Sequence, residues 1–209
     1  GLGKTHLANA IGIEAKNLDP EKTVLYVSAD KFQTQFIDAI MDNKKNDFVH
    51  FYQSIDLLII DDVQFLSGKE KTQDVFFHIF NHLHQNGKQI ILTSDKAPVD
   101  IIGMEQRLLS RFKWGLSAEL QTPDYETRIS IIKNKLSRDG VEMEDDIIFY
   151  VAKHIKTNIR ELEGAIISLM AQSSFNKKQI LKFLEINNIF PSIPNKKKFL
   201  FIILLLIIY

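Results

Sequence analysis

Four consecutive apolar residues, Leu57, Leu58, Ile59 and Ile60, run directly into Asp61 and Asp62. A run with no polar face suits a short strand of a parallel sheet that helices cover on both sides. In open α/β sheets ligands bind in the crevice beyond the carboxyl ends of the strands. Two carboxylates placed there can hold a metal ion or activate a water. Taken alone, the same letters also describe an ordinary strand followed by an acidic turn. The stretch continues as LLIIDDVQFLSGKEKTQ over residues 57–73, so the acids are followed by a basic loop.

The first line of the chain separates these readings. Gly1-Leu2-Gly3-Lys4-Thr5-His6 is the back half of the pattern G-x-x-x-x-G-K-[ST], whose leading glycine would fall before residue 1. Small residues let backbone N–H groups curl around phosphates. Lys4 offers a point charge to the β- and γ-phosphates, and the Thr5 hydroxyl can ligate Mg²⁺. A helix expected over residues 4–16 turns its positive end toward the same anion. An isolated G-K-T is a weak signal; followed at this distance by an apolar strand ending in Asp61-Asp62, it points to a P-loop nucleotide-binding ancestry. In such proteins the strand feeding the phosphate loop is central to the sheet. The expected fold is therefore α/β, a P-loop NTPase core with a parallel sheet lacking its first strand, on a chain clipped at its front.

Further elements follow from periodicity. Residues 23–29 (TVLYVSA) and 88–93 (KQIILT) read as strands, and residues 31–43 and 72–86 as amphipathic helices, the latter carrying Val75, Phe76, Ile79, Phe80 and Leu83 on one face. Residues 48–54 read as a helix end and residues 114–120 as a last strand. Helices at 124–139, 144–156 and 158–173 are expected to pack as a small bundle. The domain reading is a core over 1–121, a helical lid over 122–185 and an aberrant apolar tail over 186–209.

Lys+Arg and Asp+Glu both number 26, so global charge argues for no partner and any nucleic-acid surface must be local. Cysteine is absent, which excludes disulfides and thiolate metal sites and is compatible with a reducing cytosol. No signal peptide is evident, and a cytoplasmic location is expected.

Three groups of cations stay open on the residues alone. Arg107 and Arg111, four apart on a helix expected over 105–112, form either a salt-bridged surface or a reach toward the phosphates of an adjacent subunit. Arg160, in the first turn after a Thr157 or Asn158 cap, stands where the helix dipole disfavours a cation; either Glu161 or Glu163, or a bound phosphate, would offset it. Lys69 and Lys71 are either a solvated turn or a grip on successive phosphates of a nucleic-acid strand.

GLGKTHL, LLIIDDVQFLSGKEKTQDVFFHIFN, KQIILTSDKAP, RLLSRFKWGL, PDYETRISII and NIRELEGA, in this order and spacing, resemble the AAA+ ATPase domain of the bacterial chromosomal replication initiator family, DnaA, over about residues 1–185. The resemblance implies an AAA+ core with a small C-terminal helical lid. It implies that Gly1, Gly3, Lys4, Thr5 and His6 surround ATP, that Thr5 and Asp61 serve Mg²⁺, and that Asp62 is linked to water activation. It further implies that Asp95 is a sensor at the end of the fourth strand, Arg111 a finger offered to the next protomer and Arg160 a second sensor from the lid. Ile37, Lys69 and Lys71 match positions that grip single-stranded origin DNA. The implied activity is a weak ATPase acting as a nucleotide switch that initiates chromosomal replication by assembling into a filament that melts the origin, with the replicative helicase as a partner of the full-length protein. A helicase loader, a related regulator without origin recognition and an inactive gene remnant are the alternatives.

The family's duplex-reading domain has no counterpart after residue 185, where the similarity stops. Residues 199–209, FLFIILLLIIY, follow three lysines. As a helix this run would extend about 16 Å, against a bilayer core of about 30 Å, so no stable transmembrane span is expected. It reads as an interfacial anchor lacking a polar face or as a frame-shifted gene end, and exposed it would promote aggregation.

Overall fold

A computed structural model describes residues 2–173. Gly1, residues 174–185 of the expected lid and the expected tail lie outside the described residues. The described residues fall into two compact units, Gly3–Leu120 and a second that begins at Gln121.

The first unit is built around three parallel strands, β1 (Val24–Ser28), β2 (Leu57–Asp61) and β3 (Gln89–Leu92), in that spatial order. In register, Tyr26 stands opposite Ile59 and Ser28 opposite Asp61, while Ile60 stands opposite Leu92. Every residue of β2 is buried. Alternation sends its side chains to opposite faces. Leu57 and Ile59 meet Ala8 of helix α1 (Lys4–Leu18), with Val24 and Ile91 beside them. Leu58 and Ile60 enter the larger core shared with helices α2 (Ala29–Met41), α3 (Lys45–Gln53) and α4 (Glu70–Gln85). Helices on both faces are what an uninterrupted apolar strand demands.

That larger core is aromatic. Phe32 of α2 meets the rings of Phe48 and Tyr52 on α3 at 5.3 and 4.9 Å and of Phe76 on α4 at 5.6 Å, all three edge-on. Offset and edge-on rings add about 0.5–1.5 kcal/mol per pair beyond their buried area. Residues 48–54 are thus more than a helix end: α3 is a full element, its buried face formed by Phe48 and Tyr52.

A buried glutamine joins the two loops at the far end of β2. Gln73, fully buried on α4, donates through Nε2 to the Leu66 and Gly103 carbonyls, both at 2.9 Å, and its Oε1 accepts from the Glu105 N–H at 2.8 Å. Gly68 N donates to Gly103 O at 2.9 Å, and the Ser67 hydroxyl to Ile102 O at 2.7 Å. Gly103 has φ +81, and a Cβ there would stand 3.2 Å from Gly68 N, so only glycine suits both the backbone and the approach. Helix α5 (Gln106–Phe112) begins from this junction.

The strand expected over 114–120 is absent. Trp114 lies in a turn and residues 115–120 have no regular structure, with Leu116 fully exposed. A strand requires a neighbour to complete its hydrogen bonds. Among the described residues no strand lies beside the edge of β3 that faces away from β2, so this segment has nothing to pair with.

The second unit contains helices α6 (Tyr125–Arg138), α7 (Asp145–His154) and α8 (Ile159–Ser173) around Ile132, Ile148, Val151, Leu162 and Ile166. Asp124 caps α6 by accepting from Thr127 N at 2.8 Å, and Asn158 accepts from Glu161 N at 2.8 Å at the start of α8. Arg128 is buried yet bonds only carbonyls, Ala152 O at 2.8 Å and Pro123 O at 2.6 Å. It thereby closes the carboxyl end of α7, where a cation is favoured by the helix dipole. Among the described residues no helix is long and apolar enough to cross a membrane.

Gln73→Leu keeps the side-chain volume but removes one of two donors from the Leu66 and Gly103 carbonyls, which keep the Lys69 and Gly68 N–H groups, and takes the acceptor from the half-buried Glu105 N–H. Leaving such groups unpaired costs about 1–3 kcal/mol each. Urea unfolding is expected to show a loss of about 1–3 kcal/mol, and hydrogen exchange should accelerate at the Glu105 amide.

Candidate functional site

The carboxyl end of β2 brings together side chains from four elements. Asp61 is buried, and its Oδ2 accepts the Thr5 hydroxyl from α1 and the Tyr26 hydroxyl from β1, each at 2.7 Å. Its Oδ1 accepts the hydroxyl of Thr93, just beyond β3. Burial alone pushes the Asp61 carboxyl up; the hydrogen bonds from Thr93, Thr5 and Tyr26, with the charge of Lys4, outweigh it and hold the group below the usual carboxylate range. Tyr26 moves the other way, pushed up to about 12 by burial and by its bond to the Asp61 carboxylate.

The chain enters α1 through Gly3, whose φ of 89 is left-handed, and no side chain caps the helix. No acid occupies its first turn. Orphan N–H groups under a positive dipole end form a ready anion site. Lys4 and Thr5 are half-buried there, and His6 is exposed.

Thr5 and Asp61 present hard oxygen donors 2.7 Å apart. Mg²⁺ is typically bound by one or two protein oxygens plus phosphates and waters, so this donor set fits it. Among the described residues no group of three or more His, Cys, Asp or Glu could hold a metal by itself.

Asp62 follows with φ 57, a left-handed conformation that turns the chain out of the sheet. Its N–H donates to the Thr93 hydroxyl at 2.9 Å, and its Oδ1 accepts Gln64 Nε2 at 3.2 Å. Gln64 Oε1 is buried with no partner, the one such side-chain atom among the described residues. Asp95 is exposed and stands outside this network; Thr93, two residues earlier, makes the contact instead.

The arginines on α5 resolve differently from one another. Arg107 pairs with Asp74 at 2.7 Å and with Glu105 and lies 4.5 Å over the Phe77 ring. Arg111 makes no ion pair; its Nε donates to Asn81 Oδ1 at 2.9 Å and its guanidinium lies 5.2 Å over the Trp114 ring. Only Arg111 therefore keeps an unneutralised charge. In the second unit Arg160 is exposed; Asn158 caps the helix start by accepting from the Glu161 N–H, and the Glu161 carboxylate accepts the Thr157 hydroxyl rather than pairing with Arg160.

Lys69 and Lys71 are exposed, but not on a loop as their spacing implied. Lys69 is the N-cap of α4 and Lys71 lies in its first turn. Both place positive charge at the helix end where the dipole already repels it. Ile37 is exposed on α2.

Tyr26, Thr93 and Gln64 escaped the sequence reading. Tyr26 is an ordinary strand residue by composition, and only the parallel register, which sets it two pairs before Asp61 and so on the same face of the sheet, brings its hydroxyl to the acid. Thr93 carried a usable signal: it follows the strand that pairs with β2, one step past the Ile60–Leu92 pair.

Residues 1–119 match the bacterial DnaA ATPase domain family. Over 180 residues, 86% of this chain, the sequence is 74% identical to the chromosomal replication initiator protein DnaA of Flavobacterium psychrophilum; the match spans 38% of that protein's length. Domain III of the Thermotoga maritima replication initiation protein DnaA is similar in structure with a TM-score of 0.81 and 41% identity, over 85% of this chain and 75% of that one. A replication initiator DnaA bound to AMPPCP and single-stranded DNA is similar with a TM-score of 0.72 and 39% identity, over 93% and 65% of the two chains.

Because the folded-state carboxyl of Asp61 is depressed, its stabilisation is present above the unfolded range, about 3.9, and is lost as pH falls through the lower folded value. Asp61→Asn is expected to be less stable than the parent near neutrality, with the gap narrowing in acid. Denaturant unfolding of both chains from pH 6 down to pH 3 checks this.

Proposed function

The chain belongs to the bacterial DnaA ATPase domain family, and we propose that it is the nucleotide-switched core of a chromosomal replication initiator that takes ATP and single-stranded origin DNA. The observation that carries this reading is the Thr5 hydroxyl seated on the Asp61 carboxylate at 2.7 Å, beside an uncapped α1 start. A related initiator is described as bound to AMPPCP and single-stranded DNA, which supports both ligands. The match covers 38% of the initiator from Flavobacterium psychrophilum, so the activity of a whole initiator is part of the proposal.

In this reading residues 1–121 are the nucleotide core, 122–185 the lid and 186–209 an unrelated tail. Gly1, Gly3, Lys4, Thr5 and His6 surround the triphosphate, with Lys4 supplying charge and the α1 amides supplying donors. Thr5 and Asp61 would hold Mg²⁺, which when bound neutralises phosphate charge. Asp62, its carboxylate fixed by Gln64, orients the attacking water. Asp95 and Arg160 are assigned as sensors of the γ-phosphate. Asp95 stands apart from the Asp61 network as the chain is described, so its assignment requires the loop after β3 to close on the nucleotide.

Arg111 is the finger offered to the next protomer. Its half-buried guanidinium lies against aromatic faces with no acid paired to it among the described residues, which leaves its charge to meet a phosphate across an interface of copies. ATP thus favours a self-oligomer on origin DNA, and hydrolysis removes the charge that Arg111 contacts. Lys69 and Lys71, at a helix start that repels them, gain from a phosphate backbone, with Ile37 as an apolar contact. The replicative helicase is a partner of the longer protein, and the setting is the cytoplasm.

Two outcomes test the reading. With labelled single-stranded DNA and ATP, the chain is expected to bind both. Lys69→Ala with Lys71→Ala should weaken DNA binding and reduce the slope of log K against log salt by about 0.7 per lysine. A chain that takes no nucleotide overturns the reading, and one that requires a helicase before binding DNA supports the loader class instead. Arg111→Ala should leave ATP binding to single subunits nearly intact and abolish ATP-dependent assembly in sedimentation velocity. Normal assembly by that variant dismisses the finger role.

A further inference from the structure

Tyr26 lies in mid-strand on β1, opposite Ile59, and faces the side of the sheet that α1 covers. The residue as a whole is 38% exposed, and its hydroxyl turns inward to donate to Asp61 Oδ2 at 2.7 Å. That oxygen is the one that also takes the Thr5 hydroxyl, and Thr93 holds the other. A carboxylate bonded from three elements cannot rotate without breaking at least one of these bonds.

Such an arrangement sets the direction of the Asp61 lone pairs before any ion arrives. We propose that Tyr26 is a positioning residue for the magnesium ion, acting through Asp61, and this rests on the nucleotide reading above. Thr5 has two tasks at the site, to meet the ion through its oxygen and to donate its proton to Asp61. With Tyr26 on the same carboxylate oxygen, Asp61 stays in place while the Thr5 oxygen turns to the ion. Without it, Thr5 alone would steer that oxygen. Partners that orient metal-binding groups commonly change affinity by about 10–100-fold when removed.

The test uses the full 209-residue chain and a fluorescent ATP analogue, with Mg²⁺ titrated in from EDTA. Tyr26→Phe is expected to bind the analogue in EDTA as the parent does, and to need about tenfold more Mg²⁺ for half of the magnesium-dependent gain. Melting in EDTA shows that the fold is kept. Thr93→Val, which frees the other oxygen, is expected to shift the Mg²⁺ requirement in the same direction and provides the second reading should Tyr26→Phe melt early. An unchanged Mg²⁺ requirement in these variants overturns the proposal. So does a loss of affinity equal in EDTA and in Mg²⁺, which would mark Tyr26 as structural only. If the parent itself takes no analogue, the nucleotide reading fails first and this one with it.

Discussion

The Asp61 carboxylate, sealed at the end of a fully buried strand and held by hydroxyls from α1, β1 and the segment after β3, is the interaction on which the first unit depends. A lone buried carboxylate would be neutralised by its surroundings. Here three donors and the nearby Lys4 keep it charged. The same bonds tie the start of α1 to the sheet, so the geometry of the phosphate loop and the charge of the acid are two aspects of one cluster.

A second junction does for the far side what Asp61 does for the near one. Gln73 and the Gly68–Gly103 contact join the start of α4 to the start of α5. Lys69 and Lys71 sit at one of those starts and Arg107 and Arg111 follow the other. These four cations are therefore carried by helices whose starts are joined through one hydrogen-bonded corner. Arg107 spends its charge on Asp74 and Glu105, while Arg111, held only by Asn81 and aromatic rings, does not. The four-residue spacing treats the pair as equivalent; the acids around them do not.

In the second unit the charges are arranged by helix ends. Arg128 satisfies carbonyls at the finish of α7, and Glu161 is committed to Thr157 and the start of α8. Arg160 is consequently left exposed in a first turn that disfavours it. Glu161 was one of two carboxylates that the sequence allowed as its partner, and that carboxylate takes the Thr157 hydroxyl instead.

Read by itself, the amino-acid sequence determined the α/β class, the strand at 57–61 and the helices whose apolar residues recur every three or four positions. Those are properties of short segments, where periodicity and residue chemistry are sufficient. Only the tertiary structure decided that Tyr26 and Thr93 complete the Asp61 cluster, that Gln73 locks two loops, and that residues 115–120 form no strand. Each depends on which segment lies beside which, and hydrogen bonds between distant parts of a chain follow strand register and helix packing, which no local pattern encodes.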